Sequence, residues 1–150
     1  MEPRLQYYSL QPALMKAMLG LEQAVRTSGI DHALLELVKL RASQINGCAY
    51  CIDMHWKDAR HAGESEQRLY GLNAWRESSY YTEKERAALA WTEALTLVAE
   101  TRAPDGDFEP LRKHFSSEDI VRLTYAIATI NAWNRLSIAM RTKAGDYKPG

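Results

Sequence analysis

Apolar residues along this chain recur every three or four positions, which is the spacing of one face of an α-helix. The clearest case follows the sequence TEKE at residues 82–85, where a hydroxyl residue precedes a glutamate by three positions and forms the capping box that begins many helices. Four apolar residues then fall on one helical face: Ala88, Trp91, Leu95 and Val98. The pattern predicts a helix that begins at the capping box and buries this face.

Turn and capping residues divide the first half of the chain into three more helices. Pro12 is suited to the first turn of a helix, which is predicted to run to about Arg26. Asp31 provides an N-cap for a second helix, which is predicted to end where Asn46-Gly47 forms a turn. A third helix is predicted to begin after that turn and to end near Gly63.

The C-terminal third contains two further predicted helices. The residues Pro104-Asp105-Gly106 interrupt the helical pattern, and a short amphipathic segment follows at about residues 108–115. A serine at 116 or 117 then caps a long helix that runs to about Met140. The chain has no alternating strand pattern, linker or internal repeat. We therefore predict an all-α fold in which residues 1–150 form a single domain.

The last predicted helix is apolar around its whole circumference, because no charged residue lies between Arg122 and Arg135. A helix of this kind is buried in a core or at a subunit contact. The stretch at residues 123–134 therefore predicts burial and a homo-oligomer. Its two asparagines, Asn131 and Asn134, are expected to satisfy each other or the backbone.

Composition and charge exclude several classes of partner. Hydrophobic residues make up 46% of the 150 and charged residues 25%, which is typical of a globular protein. The formal net charge is zero, whereas nucleic acids and anionic membranes are bound by a basic surplus. No apolar run approaches the ~20 residues that span a membrane, and the N-terminus has no signal-peptide pattern. We therefore expect a cytoplasmic protein that binds neither nucleic acid nor membrane.

The candidate chemistry lies in one stretch, GCAYCIDMH at residues 47–55, which holds both cysteines of the chain. On a helix, Cys48, Cys51 and His55 share one face. Free N–H groups at the helix start favour a thiolate, and an imidazole one turn from Cys51 can accept its proton. Because Gly47 allows a sharp turn, Cys48 is expected to lie near the surface.

Glu36 is the acidic residue best placed to orient His55. If the chain reverses at the predicted turn, the two flanking helices run antiparallel and His55 lies opposite about Lys39. Glu36 is then one turn further along that helix, within reach of the imidazole. We therefore predict a relay of Glu36, His55 and Cys51, with Cys48 as the second thiol.

Other uses of the cysteine pair are open at this point. A structural zinc site needs four ligands, which two cysteines and two of the four histidines (His32, His55, His61 and His114) could supply. No second histidine stands at the short spacing of a zinc clip. Covalent haem attachment needs a histidine directly after the second cysteine, where this chain has Ile52. A structural disulfide is unusual in a cytosolic protein.

The arrangement of Glu36, eleven residues, CAYC, three residues and His55 resembles the motif of alkylhydroperoxidase D (AhpD)-like proteins, which belong to the carboxymuconolactone decarboxylase superfamily. The resemblance covers most of residues 8–140, in the stretches ELVKLRASQINGCAYCIDMH, ERAALAWTEALT and NAWNRL. It implies an all-helical AhpD-like fold, assembly into trimers or hexamers, and thiol-dependent reduction of a hydroperoxide or a partner disulfide.

The resemblance also implies a role for each site residue. Cys51 is the thiolate that becomes a sulfenic acid, Cys48 closes the disulfide, and His55 and Glu36 form the proton relay. The expected reductant is a dithiol or a protein disulfide partner, and no cofactor or metal is implied. Tyr50 stands where some peroxidase members have a second histidine.

Two alternatives to this function stay open. Lactone decarboxylase-type enzymes share the fold, although their members generally lack the cysteine pair. The other alternative is a zinc-binding module without enzymatic activity.

Two effects compete in deciding which cysteine is the nucleophile. The helix N-terminus favours a thiolate at Cys48 by about 0.3–1 kcal/mol, which is less than one pKa unit. A histidine partner lowers a thiol pKa by several units. We therefore predict Cys51 as the nucleophile, and Cys48 as the resolving thiol and the more exposed of the two.

Overall fold

Nine α-helices, one short 3₁₀-helix and their connecting loops make up the chain in the computed structural model, which describes residues 1–150 and contains no β-strand. The α-helices are α1 (Tyr7–Leu10), α2 (Pro12–Arg26), α3 (His32–Asn46), α4 (Ala49–His61), α5 (Glu66–Tyr70), α6 (Glu83–Thr96), α7 (Val98–Thr101), α8 (Asp105–Arg112) and α9 (Ser117–Met140). The 3₁₀-helix is Leu72–Ala74. The all-α prediction is confirmed.

The helix boundaries follow the capping residues that the sequence predicts. The Asp31 carboxylate accepts a hydrogen bond from the backbone N–H of Leu34 at 2.9 Å. Thr82 and Glu85 form both hydrogen bonds of the capping box at the start of α6. Ser116 caps α9. Each of these caps satisfies an N–H group that the first helical turn leaves free.

Two boundaries differ from the prediction. The backbone leaves the helical conformation at Leu97, so α6 ends at Thr96 and Val98 is 47% exposed instead of buried. α8 begins at Asp105, slightly earlier than predicted. Pro104 occupies its cap position, and two aspartates in its first turn complement the positive end of the helix dipole.

α3 is the central helix and packs against α4, α6 and α9. Nine of its fifteen residues are buried. One hydrophobic cluster fills the space between α3, α6, α8 and α9, and a second lies between α3, α4, α5 and α6. Any charged side chain on the buried part of α3 therefore needs a partner inside the protein.

The last helix is buried on one face only. Leu123 and Ile127 are at most 1% exposed, whereas Val121 and Tyr125 are 54% and 58% exposed. The predicted burial of residues 123–134 therefore holds for the side of α9 that faces the core, and the opposite side presents apolar side chains at the surface. Although α9 is the longest helix, neither it nor any other is both long and apolar enough to cross a membrane.

The chain reverses direction between α3 and α4 at Gly47, where φ is 70° and ψ is 32°. This left-handed conformation suits glycine because glycine has no Cβ. After the turn, α4 packs back along α3. This packing brings His55, in the second turn of α4, against Glu36 of α3.

Candidate active site

Cys48 caps the N-terminus of α4 with its sulfur atom. Its Sγ accepts a hydrogen bond from the backbone N–H of Cys51 at 3.4 Å, in the position that a side-chain oxygen usually takes. Both cysteines are free thiols and only 1% exposed, in a small cluster with Ala42 and Ile130. The expectation that Cys48 lies near the surface is therefore wrong, because the turn at Gly47 directs the thiol inward between α3 and α9.

The two thiols have opposite shifts in pKa. A hydrogen bond from the Cys51 thiol lowers the pKa of Cys48 to about 7, against the opposing effect of burial. The backbone N–H of Cys51, the Asn134 amide and the Ser137 hydroxyl lower it further. The same bond to Cys48, together with burial, raises the pKa of Cys51.

The first negative charge of the pair therefore forms on Cys48, while Cys51 keeps its proton. This order differs from the order predicted from the spacing. The physical reason is that the Cys51 thiol and the Cys51 backbone N–H both donate to Cys48, whereas Asn134 and Ser137 lower the pKa of both thiols.

His55 and Glu36 form a buried hydrogen-bonded pair. The His55 Nδ1 atom lies 2.8 Å from Glu36 Oε2, and the two residues are 4% and 1% exposed. Burial would raise the pKa of the Glu36 carboxyl, but the hydrogen bond and the charges of His55 and Lys39 hold it below its ordinary value. An ionised carboxylate only accepts hydrogen bonds, so Nδ1 carries the proton. In the neutral imidazole, Nε2 is then the nitrogen that can accept a proton.

A second buried charge stands beside this pair. Lys39, three residues after Glu36 on α3, is fully buried and forms an ion pair with Glu22 of α2. The indole Nε1 of Trp133 donates a hydrogen bond to the other oxygen of Glu22 at 3.2 Å. The remaining Glu36 oxygen, Oε1, has no hydrogen-bond partner, and His32 Nε2 lies 3.7 Å from it. Polar contacts therefore connect α2, α3 and α9 next to the thiols.

The amides of α9 form a network with the end of α3. The Asn46 side chain donates to the Oδ1 atoms of Asn131 at 3.0 Å and Asn134 at 2.8 Å. Asn134 donates in turn to the Ser43 hydroxyl at 3.0 Å. Asn131 also donates to the backbone carbonyl oxygen of Ile127 at 2.9 Å, so the expectation that these residues satisfy each other or the backbone is confirmed for Asn131 through the backbone. Asn131 and Asn134 do not bond each other but share Asn46 as a donor. Asn134 also stabilises the negative charge on Cys48, which the sequence did not predict.

Cys51 and His55 line a common cavity of about 220 Å³, and Cys48 does not reach it. The other lining side chains come from α2, α4, α9 and the two ends of the chain: Tyr7, Met15, Leu19, Glu22, Arg26, Tyr50, Met54, Asp58, Trp133, Ser137 and Tyr147. A larger apolar cavity of about 580 Å³ lies between the N-terminal segment, α2 and the end of α9, and holds neither cysteine. A small molecule therefore meets Cys51 first.

Sequence reasoning assigned no role in the site to three residues: Lys39, Asn134 and Tyr147. A signal existed for Lys39, because a lysine within the apolar run LLELVKL of α3 must either be paired or distort the helix packing. No comparable signal existed for Tyr147, whose hydroxyl donates to Asp58 across 89 positions of sequence.

One group of side chains is close enough to hold a metal ion. The ligand atoms of Glu36, His55 and Asp58 all lie within 4.8 Å of one another. The cysteines are not part of this group, so the Cys2His2 zinc set considered from the sequence is not brought together. Glu36 and His55 are already bonded to each other.

Comparison with known protein families gives one match over the first part of the chain. Residues 12–94 match the carboxymuconolactone decarboxylase family. The matched region contains α2 to α5 and most of α6, and therefore the whole of the Glu36, Cys48, Cys51 and His55 arrangement.

Individual relatives agree with that match. The chain is 46% identical to the uncharacterized protein YdfG of Bacillus subtilis over 144 residues, which are 96% of this chain and 98% of that one. It superposes with a TM-score of 0.95 on the crystal structure of a protein of unknown function from Agrobacterium tumefaciens, at 49% identity over 97% of this chain and 100% of that one. A 48-residue stretch is 38% identical to the alkyl hydroperoxide reductase AhpD of Nocardia farcinica, which is 32% of this chain and 27% of that one.

Proposed function

Because the chain belongs to the carboxymuconolactone decarboxylase family as an AhpD-like member, we propose that it is a thiol-dependent oxidoreductase that reduces hydroperoxides or a partner disulfide. The family contains enzymes, and AhpD of Nocardia farcinica is named as an alkyl hydroperoxide reductase. The proposed reaction uses Cys51 and Cys48 as the redox pair, and His55 with Glu36 as the proton relay.

The observation that supports this function best is that Cys51 and His55 line the same cavity, with a second thiol of lowered pKa in contact with Cys51. Peroxide reduction through a disulfide needs an accessible sulfur, a proton donor for the leaving group and a resolving thiol. A lactone decarboxylation needs no thiol, so it would leave both cysteines without a role.

The oxidising half of the reaction starts with the proton on Cys51. The Cys51 S–H first leaves its hydrogen bond to Cys48. As the Cys51 sulfur then attacks the terminal oxygen of the hydroperoxide, its proton passes to Nε2 of His55. The S–O bond forms, the O–O bond breaks, and the departing alkoxide takes the proton from His55 as an alcohol. Cys51 is thereby oxidised to a sulfenic acid and the hydroperoxide is reduced. Glu36 stabilises the transient imidazolium.

The second step uses the charge that already resides on Cys48. Its thiolate attacks the Cys51 sulfur, a disulfide forms, and hydroxide leaves and takes a proton from solvent as water. A depressed pKa suits a resolving thiol, because no further base is needed to generate the nucleophile. An external dithiol, or a protein partner that carries one, then returns the pair to its reduced form by thiol–disulfide exchange. Such a pair is maintained in a reducing compartment, which favours the cytoplasm.

The test is peroxide consumption by the purified protein with several dithiol donors, alongside the variants Cys51→Ser and Cys48→Ser. Cys51→Ser is expected to consume no peroxide. Cys48→Ser is expected to form a sulfenic acid at Cys51 once per chain and then stop, as seen by mass spectrometry after trapping.

The matched control for the histidine is His61→Ala, because His61 ends the same helix and is exposed. This variant should turn over like the parent protein, whereas His55→Ala should not. Peroxide consumption that persists in Cys51→Ser would contradict the proposed function.

A further inference from the structure

The segment after α9, residues 141–150, returns across α4 and is called here the C-terminal strap. The Gly145 N–H donates to Asp53 Oδ2 at 3.2 Å. The Lys57 ammonium donates to the carbonyl oxygens of Gly145 at 3.1 Å and Tyr147 at 3.0 Å. Asp53 and Lys57 form an ion pair of 2.9 Å with each other. Two side chains one turn apart on α4 therefore hold the backbone of the strap.

The strap places the side chain of Tyr147 in the wall of the cavity that contains Cys51 and His55. The Tyr147 hydroxyl donates to Asp58 Oδ1 at 2.7 Å. Asp58 is three residues after His55 on α4, so this bond lies beside the proton relay. Burial, and then the bond to Asp58, raises the pKa of Tyr147 to about 12, so the phenol remains a neutral donor at physiological pH.

The walls of the cavity are anchored in different ways. α2 is tied to the core by the ion pair between Glu22 and the fully buried Lys39, and α9 contributes its core-facing side. The strap has no buried residue and is held by polar contacts at the surface. Segments with few buried apolar contacts open at the lowest free energy. The strap, which like α1 has no buried residue, is therefore a wall that opens more easily than α2 or α9.

From these contacts we infer that Tyr147 is a specificity-determining residue, which limits the size of the molecules that reach Cys51. The inference rests on the proposed function, in which Cys51 is the sulfur that reacts. With the strap closed, a cavity of about 220 Å³ accepts a small hydroperoxide. A disulfide held in a partner protein has a chain on either side, so the strap must move aside before that disulfide can approach Cys51.

The test compares two thiol reagents on the reduced full-length protein: iodoacetamide, which is small, and a maleimide that carries a polyethylene glycol chain. Modification of Cys51 is followed by peptide mass spectrometry. Tyr147→Ala removes both the ring from the cavity wall and the hydrogen bond to Asp58, and is expected to raise the rate with the bulky maleimide about tenfold relative to iodoacetamide. Tyr147→Phe loses the same hydrogen bond but keeps the ring in the wall, so it should change the ratio much less.

A second variant displaces the strap without changing any side chain that lines the cavity. Gly145 has a φ of 107°, and a Cβ added there meets no atom within 4 Å, so Gly145→Ala introduces backbone strain alone. Like Tyr147→Ala, it is expected to raise the rate at which the maleimide modifies Cys51. Tyr70→Ala is the matched control, because Tyr70 is 66% exposed on α5 and does not line the cavity.

The inference is overturned if neither variant raises the rate at which the maleimide modifies Cys51. It is also overturned if a variant raises the rates of both reagents by the same factor, because that result indicates general loosening of the fold. Thermal unfolding followed by circular dichroism separates the second outcome from loss of the fold. The proposed function is tested independently by peroxide consumption of the parent protein. If the parent protein consumes no peroxide but still discriminates between the two reagents by size, the proposed function is overturned and the size limit at Cys51 is retained.

Discussion

At the scale of single residues, the site depends on where three protons reside. Cys48 occupies the N-cap of α4, where a thiolate takes the place of the usual oxygen acceptor. Cys51 keeps its proton because it donates to that thiolate. His55 holds its proton on Nδ1, facing the Glu36 carboxylate, so its other nitrogen can act towards the cavity. Each proton is located by a specific partner, and each partner can be removed by substitution.

The first prediction concerns the charge on Cys48. The ultraviolet absorbance of the reduced protein should report one thiolate per chain with a midpoint near pH 7, because the pKa of Cys48 is lowered to about 7 and that of Cys51 is raised. Cys48→Ser should remove this transition. If the titration near pH 7 persists in Cys48→Ser but disappears in Cys51→Ser, then Cys51 and not Cys48 carries the thiolate.

The same shift predicts how stability depends on pH. The folded pKa of Cys48 lies below the value of about 8.5 for an unperturbed cysteine. The thiolate therefore stabilises the reduced fold above the unfolded pKa, and this contribution is lost as the pH falls through about 7. Urea unfolding of the reduced protein on both sides of that midpoint checks the sign. Cys48→Ser should show a weaker pH dependence over the same window.

The next prediction tests whether the proton relay of Glu36 and His55 acts independently of the charge on Cys48. Glu36→Gln should slow peroxide reduction, with roughly 10²–10⁴-fold as the range expected for lost general acid–base catalysis. A glutamine amide can donate to Nδ1 and stabilise the wrong tautomer of His55. The pH midpoint of Cys48 should stay the same, because its principal donors are Cys51, Asn134 and Ser137. A large change in that midpoint would mean that the relay also sets the thiol charge.

At the scale of helices, α3, α4 and α9 position the thiols through polar contacts inside an otherwise apolar core. The Gly47 turn sets the direction of α4, and the amides of α9 hold the end of α3. The Lys39–Glu22 ion pair adds α2 to the same arrangement. Buried polar groups of this kind are costly when a partner is lost, so the pairing of these helices is specific.

Asn134→Ala tests this pairing of helices. The side chain of Asn134 is fully buried, and its loss leaves the Ser43 and Cys48 acceptors with one donor fewer. We expect the free energy of unfolding to fall by about 1–3 kcal/mol and the pKa of Cys48 to rise. Urea titration and thiolate absorbance measure the two effects. Asn73→Ala, at an exposed position in the 3₁₀-helix, is the control and should stay within about 0.5 kcal/mol of the parent.

At the scale of the whole molecule, the single chain leaves an apolar surface uncovered. Leu21 of α2 lines a shallow groove together with Val121 and Tyr125 of α9. All three side chains are more than a third exposed. Contiguous apolar surface on a single chain often marks a protein contact. From this groove and the family resemblance, we propose that the chain assembles into a homo-oligomer, by the resemblance a trimer or hexamer.

Sedimentation velocity at micromolar concentration checks the oligomer. The parent protein is expected to sediment as a stable oligomer, and Tyr125→Arg as a smaller species, because a charge in an apolar contact lacks a partner. Tyr70→Arg serves as the control, since Tyr70 is 66% exposed, against 58% for Tyr125, and lies on α5. A parent protein that sediments as a monomer would rule out the assembly.

Much of the fold could be predicted from local chemistry. Asp31, Thr82 and Ser116 cap the helices they were expected to cap, since each cap is a contact between residues three apart. The proximity of Glu36 and His55 also followed from the sequence, because one turn at Gly47 determines how two adjacent helices meet.

The properties that the sequence could not determine all depend on contacts between distant segments. Cys48 is buried because α3 and α9 pack against it through Ala42 and Ile130. Tyr147 reaches the cavity only because the C-terminal strap returns to α4. The sequence by itself determined the helices, the turn and the spacing of the reactive groups, since helical periodicity and capping act over a few residues. The tertiary structure decided how deeply both thiols are buried and which of them faces the cavity, because burial depends on how the helices pack.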